Sequence, residues 1–209
     1  MISALVALER LREGNHRFVS GVRSRGALTS QARRSELTAG QEPHAIILGC
    51  SDSRVSAEIV LDQGLGDLFV IRVAGNIVAP SQIGSVEFAA TRFGTRLVVV
   101  LGHSQCGAVL ATLETLQQSV ASPSRNVHSI VDRIRPTVEP LLASELRHDP
   151  ETLLQHAVRA NISASASHLR HGSGILEQLI QRDGLLVVGA NYSLETGFVH
   201  FFDGVPEPD

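Results

Sequence analysis

The sequence lacks several residue types on which large groups of proteins depend. Its 209 residues contain no tryptophan and only two cysteines, aromatic residues make up 4%, and all 18 basic residues are arginine. The absence of lysine excludes P-loop nucleotide binding and Schiff-base catalysis on a lysine. Two cysteines are too few for a disulfide-stabilised scaffold.

Long hydrophobic runs and an excess of positive charge are also missing. The net charge is −3, with arginine and acidic residues interspersed, so we expect no nucleic-acid partner. The longest apolar runs, such as 45–48 and 97–101, are far shorter than a membrane span. The charged, amphipathic segment 1–20 has no signal-peptide core. These features predict a cytoplasmic globular protein that does not bind membranes.

From residue 43 onward, short aliphatic runs alternate with helical patterns. The runs that we predict as strands are His44–Gly49, Leu68–Arg72, Arg96–Gly102 and Leu185–Gly189, with an edge strand at Phe198–Phe202. The helical patterns lie at about 82–93, 106–120, 127–143, 151–171 and 175–182. Pro136 and Pro140 are expected to kink or split the third of these helices. The alternation predicts an α/β fold with a mostly parallel central β-sheet flanked by helices.

The first 40 residues are predicted to form a helical arm. One apolar helical face is formed by Leu5, Leu8, Leu11 and Phe18, and a second short helix is predicted at Ser30–Ala39. This stretch contains no strand for the helices to cover, so packing on a partner subunit and packing on its own chain are both compatible with it. We expect one domain over 1–209, made of the arm at 1–40 and an α/β core at 41–209.

Both cysteines follow predicted strands. The segment 50–54, Cys-Ser-Asp-Ser-Arg, comes after the first strand, and 103–107, His-Ser-Gln-Cys-Gly, comes after the third. Ligands of open α/β sheets bind beyond the carboxyl ends of strands. Cys50, His103 and Cys106 are suitable zinc ligands there. One close pair and one remote thiolate are more typical of a catalytic zinc with an open fourth position than of a zinc finger, although buried cysteines are often mere packing residues.

Asp52 and Arg54 stand two residues apart in the first of these segments. They can form a bidentate ion pair that keeps the carboxylate ionised and fixed in direction. Such a carboxylate can accept a hydrogen bond from a zinc-bound hydroxide, or bind zinc itself as a conditional fourth ligand if the pair breaks. The alternative is an ion pair that only closes the turn.

The combined motif resembles that of the β-class carbonic anhydrases. Cys-Ser-Asp-Ser-Arg at 50–54 and Gly-His-Ser-x-Cys-Gly at 102–107 carry the resemblance, which also includes 67–72, 75–76 and 84–88. It covers residues 40–110 closely and 186–202 more weakly. The resemblance implies Zn²⁺ held by Cys50, His103 and Cys106, with Asp52 and Arg54 as the catalytic pair.

The resemblance also implies a substrate pocket. Its residues would be Gln41, Phe69, Ala74, Phe88 and the Gly107 amide. Family members often have tyrosine in place of Phe88 and valine in place of Ala74. By residue type alone, Phe69 and Phe88 would be core side chains. Ile47 stands where a regulated subgroup has tryptophan, so the resemblance indicates the plant-type pocket.

The function that we expect is the reversible hydration of carbon dioxide to bicarbonate and a proton by a hydroxide generated on zinc. One alternative is hydrolysis of carbon disulfide or carbonyl sulfide, which present the same electrophilic carbon. Another is a non-catalytic zinc or dithiol redox sensor, which would not need Asp52 and Arg54. The resemblance implies a homodimer or homotetramer in which the arm wraps a neighbour and the sites lie at the subunit interface. The sequence does not choose a proton shuttle among the other histidines.

Overall fold

The computed structural model describes residues 2–22, 30–118 and 124–206. Its five strands are β1 (Ala45–Gly49), β2 (Leu68–Arg72), β3 (Leu97–His103), β4 (Leu186–Tyr192) and β5 (Val199–Asp203). They form one sheet in the order β2-β1-β3-β4-β5, in which the first four strands are parallel and β5 is antiparallel to β4. The predicted mostly parallel sheet and its edge strand are therefore confirmed.

Eight α-helices flank the sheet in the described part of the chain. They are α1 (Ala4–Val19), α2 (Gln31–Glu36), α3 (Ala57–Val60), α4 (Pro80–Arg92), α5 (Gly107–Gln118), α6 (Arg125–Leu142), α7 (Pro150–His171) and α8 (Gly174–Arg182). Shorter 3-10 turns lie at Leu37–Ala39, Ala74–Asn76 and Glu145–His148. Among the helices described, none has the length and apolar character needed to cross a membrane.

Pro136 and Pro140 were expected to kink or split the third core helix, and the expectation of a split is wrong. Residues Arg125–Leu142 form the single helix α6, with Pro136 and Pro140 inside it. Both prolines are exposed, whereas Val131 and Ile134 on the other side of the helix are buried. The carbonyl groups that lose their helical partners therefore lie towards solvent, where water can satisfy them, and core packing holds the helix together.

Two apolar clusters cover the two faces of the sheet. Ile46 and Leu48 of β1 pack with α4–α8 on one face, while Ile47 packs with Leu8 and Leu11 of α1 on the other. Successive strand residues point to opposite faces, and here both faces are covered. This is why β1 is buried along its whole length and is encoded as a continuous aliphatic run rather than an alternating one.

The N-terminal helix packs on the sheet of its own chain. Leu8 and Leu11 are buried, but Leu5, which was predicted on the same face, is 58% exposed. Helix α1 thus adds Leu8 and Leu11 to the core of its own chain, and the side chain of Leu5 faces outward. Residues 23–29 of the predicted arm lie outside the described residues.

The sheet has a switch point between β1 and β3. The chain leaves β1 to form β2 on one side and then crosses to form β3 on the other side of β1. The connections therefore diverge beyond the carboxyl ends of these two strands, which leaves a crevice there. Gly49 of β1 pairs with Leu101 of β3, so the residues that follow these strands are neighbours.

Candidate metal centre

Cys50, His103 and Cys106 meet at the switch point. Cys50 follows β1, His103 is the last residue of β3, and Cys106 immediately precedes α5. Their ligand atoms all lie within 4.8 Å of one another, and all three residues are buried. Gln105 adopts a left-handed φ of 54° in the tight connection from β3 to α5. The structure therefore brings together the three residues that the sequence predicts as zinc ligands.

The hydrogen bonds of His103 leave one nitrogen free to bind a metal. Its Nδ1 lies 2.9 Å from the carbonyl oxygen of Ser104, which can only accept, so Nδ1 carries the proton and Nε2 keeps a lone pair. Nε2 is buried and has no hydrogen-bond partner within the described chain. Burying an unpaired acceptor is costly, and a metal ion would remove that cost. A ring nitrogen bonded to a backbone carbonyl is also the usual support for a zinc-binding histidine.

The two thiols behave as a pair that holds one proton. A hydrogen bond from Cys106 lowers the pKa of Cys50 to about 4, and the same interaction raises the pKa of Cys106. The backbone N–H of Gly75, 3.4 Å from Cys50 Sγ, also favours the thiolate. One thiolate is therefore ready to receive a cation, and the second thiol gives up its proton when a metal binds. Two sulfurs and one imidazole nitrogen fit zinc.

Asp52 and Arg54 form the predicted ion pair beside these ligands. Arg54 Nε donates to Asp52 Oδ1 at 2.9 Å, and Nη2 donates to Oδ2 at 2.7 Å. The side-chain hydrogen bond from Arg54 holds the pKa of Asp52 well below its usual range. Asp52 Oδ2 lies 3.8 Å from Nε2 of His103. An ionised carboxylate thus faces this imidazole nitrogen without forming a hydrogen bond to it.

Arg72 is a residue of this site that sequence reasoning missed. Its Nε donates to the carbonyl oxygen of Cys50 at 3.0 Å, and its Nη2 donates to that of Asp52 at 2.7 Å. These bonds hold the backbone on both sides of Ser51 and so position the Cys50 thiol and the Asp52 carboxylate together. A signal was present in the sequence, since Arg72 ends a strand next to the one that Cys50 follows.

Two predicted pocket residues are sequence neighbours of groups at this cluster. Ala74 precedes Gly75, whose N–H reaches Cys50 Sγ. Gly107 follows Cys106 and is the first residue of α5, where backbone N–H groups have no partner within the helix. Ala74 and Gly107 are therefore sequence neighbours of groups at the thiol cluster, and the first turn of α5 directs the N–H groups of Ala108 and Val109 at Cys106.

The other three predicted pocket residues lie elsewhere in the described chain. Gln41 is exposed and precedes β1, whereas Cys50 follows it, so they lie at opposite ends of the strand. Phe69 pairs with Ile46, about 13 Å before Cys50 at roughly 3.3 Å per residue. Phe88 on α4 is 53% exposed, and its ring centroid is 6.2 Å from that of Phe69. One chain does not bring these three residues to its own thiol and imidazole cluster.

Comparison with known proteins gives one consistent result. A family model described as carbonic anhydrase matches residues 45–199. Carbonic anhydrase 2 of Mycobacterium tuberculosis is 39% identical over 193 residues, which cover 92% of this chain and 90% of that protein.

Solved structures agree with the family match. The β-carbonic anhydrase CafA of Aspergillus fumigatus superposes with a TM-score of 0.74 at 26% identity, over 83% of this chain and 82% of that one. A second match comes from work on two tetrameric β-carbonic anhydrases of Sordaria macrospora. It superposes with a TM-score of 0.72 at 25% identity, over 81% of this chain and 85% of that one.

Proposed function

Because the chain belongs to the β-class carbonic anhydrases, we propose that its zinc ion is held by Cys50, His103 and Cys106. The enzyme interconverts carbon dioxide and bicarbonate, with release or uptake of a proton. The observation that carries the residue assignment is the buried cluster of two thiols and one imidazole whose Nε2 has no partner among the described residues.

Bound by these three residues, a tetrahedral zinc would keep one position for water or substrate. When bound, zinc supplies a hydroxide nucleophile near neutral pH by lowering the pKa of a coordinated water. The thiolates of Cys50 and Cys106 cancel the ion's formal charge, which makes it a weaker Lewis acid than one held by imidazoles. Orientation of the reactants by the neighbouring side chains is therefore more important here than at a zinc ion held by imidazoles.

Asp52 is the residue that we assign to orientation. Its ionised carboxylate can only accept hydrogen bonds, and it faces the ligand atom of His103 from 3.8 Å. An acceptor in this place would orient a nucleophile supplied by the metal towards the substrate. Arg54 holds both carboxylate oxygens and thereby keeps Asp52 from becoming a fourth zinc ligand.

We propose that Gln41, Phe69 and Phe88 serve the metal centre of a second copy of the chain. In support, they lie away from the ligands of their own chain, and Gln41 and Phe88 are exposed. The Sordaria macrospora enzymes are tetrameric. A homodimer or homotetramer would then complete each pocket with Ala74 and the Gly107 amide of one copy and these three residues of the other.

We also propose that residues 1–209 form one domain that works in the cytoplasm. Leu8 and Leu11 of the arm share an apolar cluster with Ile47 of the core, which couples their unfolding. A reducing compartment keeps Cys50 and Cys106 as thiols. Calorimetry should show a single transition, and a separate transition of the arm would contradict the single domain.

The test combines native mass spectrometry with assays on three substrates. We expect about one zinc per chain in an even-numbered oligomer, together with hydration of carbon dioxide that is lost on chelation and restored by zinc. Activity of metal-free protein would overturn the metal assignment. Hydrolysis of carbonyl sulfide or carbon disulfide without hydration of carbon dioxide would favour the sulfur substrates. Bound zinc without any turnover would favour a sensor.

A further inference from the structure

A buried asparagine on α7 is linked to the metal centre by two successive hydrogen bonds. Asn161 is 2% exposed, and its Nδ2 donates to the carbonyl oxygen of Gly75 at 2.8 Å. The N–H of Gly75 in turn donates to Cys50 Sγ at 3.4 Å. Because a carbonyl oxygen only accepts, the amide nitrogen of Asn161 must be the atom that faces Gly75.

We propose that Asn161 is a positioning residue of the zinc site, which fixes Gly75 so that its N–H stays directed at the Cys50 sulfur. The proposal rests on the zinc site assigned above. A hydrogen bond to a metal-bound thiolate fixes the direction of the sulfur and withdraws electron density from it. Asn161 would thus tune a ligand that it does not touch.

Gly75 is a residue that needs an external anchor. It has a left-handed φ of 71° in the short turn that follows β2. The conformation favours glycine, and a Cβ atom at this position would also press on its neighbours, at 2.9 Å from Ile134 Cδ1 and 3.1 Å from Ala108 Cβ. Glycine is the least restricted residue, so a bond to its carbonyl limits how far this turn moves.

Packing alone does not explain an asparagine at position 161. The other buried residues of α7 are mostly apolar, namely Leu153, Ala157, Val158, Ile162, Ser165, Ala166 and Leu169. Burying an amide is unfavourable unless it is hydrogen-bonded, so an apolar side chain would serve packing better. Asn161 also lines a cavity of about 440 Å³, and its amide makes the hydrogen bond from Nδ2 to the carbonyl oxygen of Gly75.

Asn15 offers a matched control on the other face of the sheet. It is 3% exposed, and its Nδ2 donates to the carbonyl oxygens of Val60 and Gly197, both at 2.9 Å. The two asparagines therefore share residue type, burial and bonding to backbone. Asn15 lies on α1, which packs with the cluster that contains neither thiol.

The experiment compares Asn161→Ala and Asn15→Ala in cobalt-substituted and zinc-loaded protein. Loss of the N–H bond to sulfur raises the energy of the sulfur lone pairs, so the thiolate-to-cobalt charge-transfer band of Asn161→Ala should move to longer wavelength. Zinc transfer to a chelator should become about 10-fold faster. Asn15→Ala should lower the melting temperature and leave the band and the transfer rate at wild-type values.

A wild-type measurement and a milder variant cover the case in which Asn161→Ala does not fold. In protein loaded with cadmium-113, the Gly75 amide proton should show scalar coupling to the metal through Cys50. Asn161→Ser, whose side chain is too short to reach Gly75, should lose that coupling. An Asn161 variant with the wild-type band, transfer rate and coupling would overturn the proposal, and so would a missing coupling in the wild type. A wild-type protein with no cobalt–thiolate band would instead overturn the zinc site itself.

Discussion

The two ends of β1 differ in what a single chain provides. At the carboxyl end, Cys50 meets His103 and Cys106 within 4.8 Å, and Asp52 is already paired with Arg54. At the amino end, the predicted substrate residue Gln41 is exposed and far from any of these groups. One chain therefore brings together all the proposed metal ligands, whereas substrate binding is proposed to need two chains.

The difference follows from the order of the strands. The carboxyl ends of β1 and β3 border the switch point, where the connections of a parallel sheet bring polar residues together. The amino ends lie away from this switch point: there Arg33 of α2 donates to the carbonyl oxygen of Leu65 at 3.1 Å, and Gln41 lines a separate pocket. Substitutions at the two ends should consequently fail in different ways.

The largest effect is expected at the carboxyl end. Cys106→Ser replaces a thiolate with a weak oxygen ligand, so bound zinc should fall from about one per chain to near zero, and activity should disappear. Metal analysis and carbon dioxide hydration on the same sample measure both. Gln41→Ala is the control that should keep its zinc, and full zinc and turnover in Cys106→Ser would show that the ligand assignment is wrong.

A smaller loss is expected when the ion pair is broken. Arg54→Ala frees Asp52 to bind zinc, so activity should fall about 10- to 100-fold while zinc remains. The loss should be greatest at low pH, where a coordinated water is displaced more easily than hydroxide. Asp52→Ala has no carboxylate that could bind the metal, but it also lacks the hydrogen-bond acceptor for the nucleophile. Its activity should therefore be low, without a further decrease at low pH. Wild-type pH–rate profiles for Arg54→Ala would mean that the pair is only structural.

Substitutions at the amino end of β1 should lower activity less, and each should affect the site of another subunit. Gln41→Ala removes about one hydrogen bond to substrate, so activity should fall about 10-fold with zinc content and assembly unchanged. The measurement is the steady-state rate of carbon dioxide hydration, alongside native mass spectrometry.

Mixed oligomers make this prediction sharper. We consider a hybrid of one Gln41→Ala chain and one Cys106→Ser chain. If Gln41 serves the other copy, the metal centre of the Gln41→Ala chain is intact and receives an intact glutamine from the Cys106→Ser chain. Activity per bound zinc in the hybrid should then exceed that of Gln41→Ala alone. If each chain uses its own Gln41, unfolding and reassembling the mixture would yield no such gain.

The smallest effect on turnover is expected for substitutions in helix α1. Leu11→Ala leaves a cavity beneath α1, so the free energy of unfolding should fall by about 2–5 kcal/mol. Activity per zinc-loaded oligomer should stay near the wild-type value, because α1 packs on the face opposite the cysteines. Denaturant unfolding measures the first quantity. A large loss of turnover in fully folded protein would place α1 in the catalytic machinery.

Much of the fold was predictable because its strands carry a simple pattern. β1 and β3 are buried along their whole length, which requires the continuous aliphatic runs that mark them in the sequence. Helix α6 was harder to predict, because the effect of Pro136 and Pro140 depends on which face of the helix meets solvent. Leu5 likewise matches the apolar spacing of Leu8 and Leu11 but lies outside their buried face.

The sequence by itself determined the chemistry of the metal centre, since the residue types and their positions just after strands are local properties. Only the tertiary structure decided which groups support that centre. Arg72 reaches Cys50 across 22 residues, and Asn161 reaches Gly75 across 86. Contacts at such separations leave no periodic trace in a single chain, because they depend on which strand or helix packs beside which. The opposite placement of Gln41 and Cys50 arises in the same way, from the direction in which β1 crosses the sheet.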